Sequence, residues 1–187
     1  MPLVGGQLAK AAFNHGFPEY GVDILKRYFK MIDESGEAYL WYFPDGRHAT
    51  KAESTSPEAF ATDPWGSSSM MSAVVEGLAG VHVNEPGFGH VMLEPHWDAA
   101  GVDEADVNLS YAASGAGFHY AYSRKGDTTE IVIKSFPHRS LFVTLPIDAK
   151  SVKYESRGRK LDSVSGPSCK VAAFVNVEGE IRLVYKV

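Results

Sequence analysis

Apolar residues along this chain recur at helical spacing up to about residue 88 and alternate with polar ones after it, so any fold must join a helical part to a β part. From Pro18 to Ile32, Tyr20, Ile24, Tyr28 and Ile32 return every four positions with Leu25 and Phe29 beside them, the stripe of an amphipathic helix. Pro18 suits its first turn and Gly36 its end. Leu3 to Phe13 reads as an earlier helix closed by Asn14-His15-Gly16, which makes an antiparallel pair. A third helix starts at Asp63-Pro64-Trp65, where Asp63 can cap a free N–H and Pro64 fills a position that needs no donor. Met70, Met71, Val74 and Leu78 form its expected buried face, and Gly80 ends it. Trp41 to Thr62 lacks periodicity, and loops of that length are often functional.

The β part alternates at Val107, Leu109 and Tyr111, at Phe118, Tyr120 and Tyr122, at Ile131 and Ile133, and at Leu141, Val143 and Leu145. Turn residues separate these runs at Lys125-Gly126-Asp127, Pro137-His138 and Glu178-Gly179, the last between Val171–Val177 and Ile181–Tyr185. Short strands at that spacing predict an antiparallel β-sandwich. The fold class is therefore α+β, with a helical segment over 1–85 and a sandwich over 86–187. Three helices with one apolar stripe each cannot enclose a core alone. They are expected to pack on the sandwich, on a second copy, or on further chain.

Composition narrows the partners. A hydrophobic content of 44% supports a real core, and a net charge of -5, from 18 basic against 23 acidic residues, lacks the basic surface that attracts nucleic acid or anionic membrane. No apolar run reaches the roughly 18 residues that span a bilayer. Met1-Pro2-Leu3-Val4-Gly5-Gly6 has neither a basic nor an apolar leader segment, so the chain as written reads as cytoplasmic, and as extracytoplasmic if a signal lies upstream. The single cysteine, Cys169, excludes an internal disulfide and a Cys-rich zinc site, and reads as a small core residue.

Two phrases carry a resemblance: Thr62-Asp63-Pro64-Trp65-Gly66-Ser67-Ser68-Ser69 running to Glu76-Gly77-Leu78-Ala79-Gly80-Val81, and Pro86-Gly87-Phe88-Gly89-His90-Val91-Met92-Leu93-Glu94-Pro95. A last barrel helix ending in "GLaGv", then "PGF" and a strand closing before proline, resembles the junction in six-hairpin glycosidases, including α-L-rhamnosidase-like enzymes. The resemblance covers about residues 60–97 by motif. It implies the last helices of an (α/α)6 toroid followed by its carboxy-terminal sandwich, with most of the toroid absent.

Glycoside hydrolysis needs one protonated and one ionised carboxyl. The aperiodic segment offers Asp45, Glu53, Glu58 and Asp63. The resemblance implies a catalytic glutamate in the loop before the last helix, inside a Trp-Glu-Arg-Trp phrase. Here that loop reads Thr50-Lys51-Ala52-Glu53-Ser54-Thr55, which points to Glu53 without the flanking tryptophans. Asp63 reads as a cap, and Asp45, in Phe43-Pro44-Asp45-Gly46, as a turn residue that can also face a sugar. Trp41, Asp45, His48 and Trp65 are the candidate substrate-binding residues, the aromatics because sugar C–H faces pack on flat rings. His90, Glu94 and His96 share strand parity, but Pro95 interrupts them, and no metal or cofactor is expected. Asn108-Leu109-Ser110 matches a glycosylation sequon inside an expected strand. The leading expectation is the carboxy-terminal part of a glycoside hydrolase acting on oligo- or polysaccharide, inactive alone and completed by a missing amino-terminal barrel. The competing readings are a carbohydrate-binding module and an assembly domain that forms homo-oligomers through exposed helix faces.

Overall fold

The computed structural model describes residues 1–50, 52–53, 63–134, 138–146, 148–156, 159–165, 169–177 and 179–187, with backbone alone for 138–139, 156, 159–165, 169–170 and 175–177. Glu58, Pro137 and Glu178 lie outside the described residues, as does the side chain of Cys169. The chain divides into two units, Met1–Gly80 and Val81–Val187.

The first unit contains α1 (Pro2–Asn14), α2 (Pro18–Ser35) and α3 (Pro64–Ser72), and α3 runs on into a π-helical turn, Ala73–Leu78. Proline opens each of the three α-helices, where its missing N–H costs nothing. Gly36 stops α2 in the left-handed conformation at φ 75°, and its N–H donates to the Ile32 carbonyl. At α3, both carboxylate oxygens of Asp63 accept backbone N–H groups, from Trp65 at 3.1 Å and Gly66 at 2.8 Å. Asp63 is 93% buried as judged by its 7% exposure, so the cap satisfies helix donors and a carboxylate together.

The contact between α1 and α3 departs from the expected apolar stripe. Its buried residues on α3 and the π turn are Gly66, Ser69, Met70, Ala73 and Gly77, while Met71 is 52% exposed and Val74 and Leu78 are half-buried. Opposite them lie Pro2, Gly6, Ala9 and Phe13. A methyl group at Gly6 would run into the Ser69 hydroxyl and backbone, and one at Gly77 would strike the Phe13 ring. Ser69 Oγ donates to the Leu3 carbonyl across the same contact, at 2.8 Å. Small residues let two backbones approach closely, and a search for large apolar residues overlooks them. α2 adds Gly21, Val22, Leu25 and Tyr28, with Gly21 under the Phe13 ring so that a Cβ would come within 2.7 Å of it. Tyr20 and Phe29 of the expected stripe are instead 52% and 45% exposed, and Val4 and Leu8 of α1 are also exposed.

Among the described residues the second unit has ten strands: β1 (Val81–Glu85), β2 (His90–Leu93), β3 (Glu104–Ser110), β4 (Gly117–Lys125), β5 (Thr128–Ile133), β6 (His138–Pro146), β7 (Lys150–Ser156), β8 (Arg159–Ser165), β9 (Cys169–Val177) and β10 (Ile181–Lys186). They form two five-stranded sheets, ordered β1-β2-β6-β9-β8 and β3-β4-β5-β10-β7. All pairs are antiparallel except β2 with β6, which run parallel with Val91 beside Leu141. Alternate residues fill the interior: Val91, Leu93, Leu141, Val143 and Phe174 from one sheet, Phe118, Tyr120, Ile131, Ile133, Ile181 and Leu183 from the other. Tyr154 of β7 meets Phe174 of β9 edge-on across the layers, with ring centroids 6.2 Å apart. Trp97, after β2, donates its indole N–H to the buried Tyr120 hydroxyl at 2.9 Å.

The Pro86-Gly87-Phe88 phrase is a left-handed corner, with φ 72° at Gly87 and 60° at Phe88. Phe88 holds a conformation that costs a side chain about 1 kcal/mol because its ring reaches the core, 4.8 Å from Tyr111 and 6.2 Å from Phe118. The motif's role here is to turn the chain between β1 and β2 while seating that ring.

Candidate functional site

Between α2 and α3, residues 41–49 at the start of the aperiodic segment form a small hairpin. Tyr42 and His48 form an antiparallel bridge, the Ala49 N–H donates to the Trp41 carbonyl at 2.9 Å, and the Phe43 N–H donates to the Arg47 carbonyl at 2.8 Å. Gly46 allows the reversal at φ 88°, and Asp45 Oδ1 accepts the Arg47 N–H at 3.0 Å. Leu40 and Ala49 are buried and anchor the hairpin in its unit. The Asp63 N–H donates to the Ala38 carbonyl, which sets the start of α3 beside the hairpin's base.

Glu53 follows the hairpin. Its Oε1 accepts from Arg47 Nη1 at 2.6 Å and its Oε2 from the Thr50 hydroxyl at 2.8 Å. Arg47 in turn lies over the Phe43 ring, 4.3 Å from its centroid. The hydrogen bonds from Thr50 and then Arg47 hold the Glu53 carboxyl below its ordinary value. Such a group is ionised at neutral pH; it can accept a proton or attack carbon, and it is a poor proton donor.

The other sequence candidates divide. Asp45 serves the turn. His48 stacks flat on Tyr39, centroids 4.0 Å apart and planes at 12°, and its Nδ1 is buried without a hydrogen-bond partner among the described residues. Tyr42 braces the same cluster: its hydroxyl accepts the Tyr39 N–H at 3.0 Å and donates to the Glu37 carbonyl at 3.3 Å. Trp41 is 37% exposed and Trp65, in the first turn of α3, 59% exposed, so both rings present apolar surface to solvent. Trp41, Asp45, His48 and Glu53 thus share one short stretch of structure. Arg47 and Thr50 escaped the sequence reading. An arginine after Asp-Gly and six residues before a glutamate was the available signal, and it becomes informative only once the hairpin register is known.

His90, Glu94 and His96 do not converge. His90 lies against Phe142 at 5.0 Å, while Glu94 and His96 lie 4.0 Å from each other. Among the described residues no group of three or more His, Cys, Asp or Glu side chains can hold a metal ion. Among them, too, no helix is long and apolar enough to cross a membrane.

No family model matches the chain, and no curated protein matches it in sequence. Solved structures do match. The α-L-rhamnosidase of Streptomyces avermitilis complexed with L-rhamnose aligns with 94% of this chain at TM-score 0.67 and 15% identity. The α-L-rhamnosidase of Dictyoglumus thermophilum aligns with 100% of it at TM-score 0.68 and 14% identity. The likeness is one of fold, helices followed by a sandwich, and the chain spans only 17% and 21% of the lengths of those two proteins.

Proposed function

We propose that this chain is the closing part of a glycoside hydrolase of the α-L-rhamnosidase kind, acting on oligo- or polysaccharide and inactive by itself. The observation that carries the reading is the fold likeness along the whole chain to two enzymes about five times its length. The exposed apolar residues of the helical unit, Val4, Leu8, Tyr20, Phe29 and Met71, support it, because further barrel helices would cover surface of this kind. In this reading Glu53 is the ionised member of the carboxyl pair. The protonated member comes from the rest of the barrel, and Trp41, Asp45, His48 and Trp65 form one wall of the sugar site.

The purified chain is expected to leave 4-nitrophenyl α-L-rhamnoside and a panel of other aryl glycosides uncleaved. Turnover at enzyme-like rates would contradict the need for further barrel. A second reading, a carbohydrate-binding module, is favoured by the exposure of the Trp41 and Trp65 rings. Titration of the chain against a glycan panel separates the two: saturable, tight binding that is lost in Trp65→Ala favours the module.

A further inference from the structure

Arg47 is fixed at both ends by the hairpin that carries it. Its backbone N–H is taken by Asp45 Oδ1 at 3.0 Å and its carbonyl by the Phe43 N–H at 2.8 Å. Its guanidinium lies over the Phe43 ring and reaches Glu53 Oε1 at 2.6 Å. Thr50 occupies the other carboxylate oxygen through its hydroxyl at 2.8 Å, and the Glu53 N–H closes the turn onto the Thr50 carbonyl at 3.1 Å. An exposed ion pair between long side chains ordinarily contributes little, since both must lose rotamer freedom to form it. Here the arginine end is already ordered by the turn and the ring, so the glutamate bears most of that cost.

We infer that Arg47 and Thr50 are positioning residues for Glu53: they fix the direction of its carboxylate and commit it to the ionised role in glycosidic cleavage. The inference rests on the functional reading above for what Glu53 does, and on the hairpin geometry for how it is held. Asp45-Gly46 then acts one step removed, as the turn that aims Arg47. Phe43 acts beside it, as the ring on which the guanidinium rests. The lowered affinity of Glu53 for its proton is the electrostatic counterpart of this geometry.

The test uses the whole chain with carbon-labelled glutamate. The Glu53 carboxyl signal is assigned by its loss in Glu53→Gln and followed through an acid titration. In the unsubstituted chain its midpoint is expected below the ordinary glutamate value of about 4.3. Arg47→Gln raises that midpoint, Arg47→Lys restores part of the difference because it keeps charge without the planar fork, and Thr50→Val raises it independently. Thermal midpoints of the variants serve as the control for folding. An ordinary midpoint in the unsubstituted chain, or one indifferent to Arg47→Gln, overturns the positioning role. Adding L-rhamnose to the same sample judges the functional reading separately. An unclamped Glu53 whose signal responds to the sugar overturns the clamp and leaves the saccharide site standing, whereas a clamped Glu53 supports the clamp whether or not the one wall of the site that this chain carries registers the sugar.

Discussion

The two units of this molecule use large and small side chains in opposite ways. In the sandwich, bulky residues such as Phe118, Tyr120, Ile131, Leu141 and Phe174 are fully buried between the sheets. In the helical unit close contacts are made at glycines, Gly6 against Ser69, Gly66 against Pro2, and Gly21 and Gly77 against the Phe13 ring, while Val4, Leu8, Tyr20, Phe29 and Met71 face outward. The hydrophobic effect rewards area removed from water, so the sandwich holds itself together by what it buries. The helices bury fewer large residues, Phe13, Val22, Leu25, Tyr28 and Met70 among them, approach closely at small ones, and leave apolar area uncovered. That is the physical basis for reading one unit as finished and the other as open.

The strongest lever on the contrast is alkali. Burial pushes the phenols of Tyr120, Tyr185 and Tyr122 up in the sandwich, and that of Tyr28 up in the helical unit. A raised folded value means the stabilisation is complete below the unfolded tyrosine value of about 10 and is lost as pH rises toward the folded values. With three such groups against one, sandwich stability is expected to fall more steeply above pH 10, seen in methyl signals of Ile131 and Ile133 against those of Leu25. Phe118→Ala should destabilise the sandwich by about 3–5 kcal/mol in denaturant titrations, through lost transfer energy and a cavity. Gly6→Ala inverts the usual expectation that alanine favours helix: overpacking against the Ser69 backbone should cost the helical unit about 1–3 kcal/mol. Asp63→Ala, which strips both cap bonds from α3, is expected to cost about 1 kcal/mol. Smallest of all, Leu8→Ser should change stability by less than about 0.5 kcal/mol, and a loss of several times that would mean the outward face is already covered.

Much of this architecture is legible from residue spacing, and the failures have a common cause. α1, α2 and the start of α3 follow from proline, glycine and capping signals, all local in sequence. β3, β4, β5, β6, β9 and β10 follow from alternation. β7 and β8 do not, because each carries few large apolar residues: β7 has only Val152 and Tyr154, and β8 only Leu161 and Val164. The parallel pairing of β2 with β6 is a matter of topology that no local pattern encodes. Of the face expected on α3 and its π turn, Met70 is buried, whereas Met71, Val74 and Leu78 give way to Gly66, Ser69 and Gly77, since glycine and serine carry no hydrophobic signal even when they define a close contact. The candidate site divides the same way. Asp45-Gly46 was readable as a turn, whereas the clamp of Arg47 and Thr50 on Glu53 exists only after the hairpin has formed.

Native-state hydrogen exchange measured residue by residue tests the contrast between the units most directly. Amides of β4, β5, β6 and β10 should exchange only through global opening of the sandwich, while those of α1 and α2 should open at far lower free energy. Equal protection in both would contradict the account, since helices as stable as the sandwich would have no uncovered face left to explain.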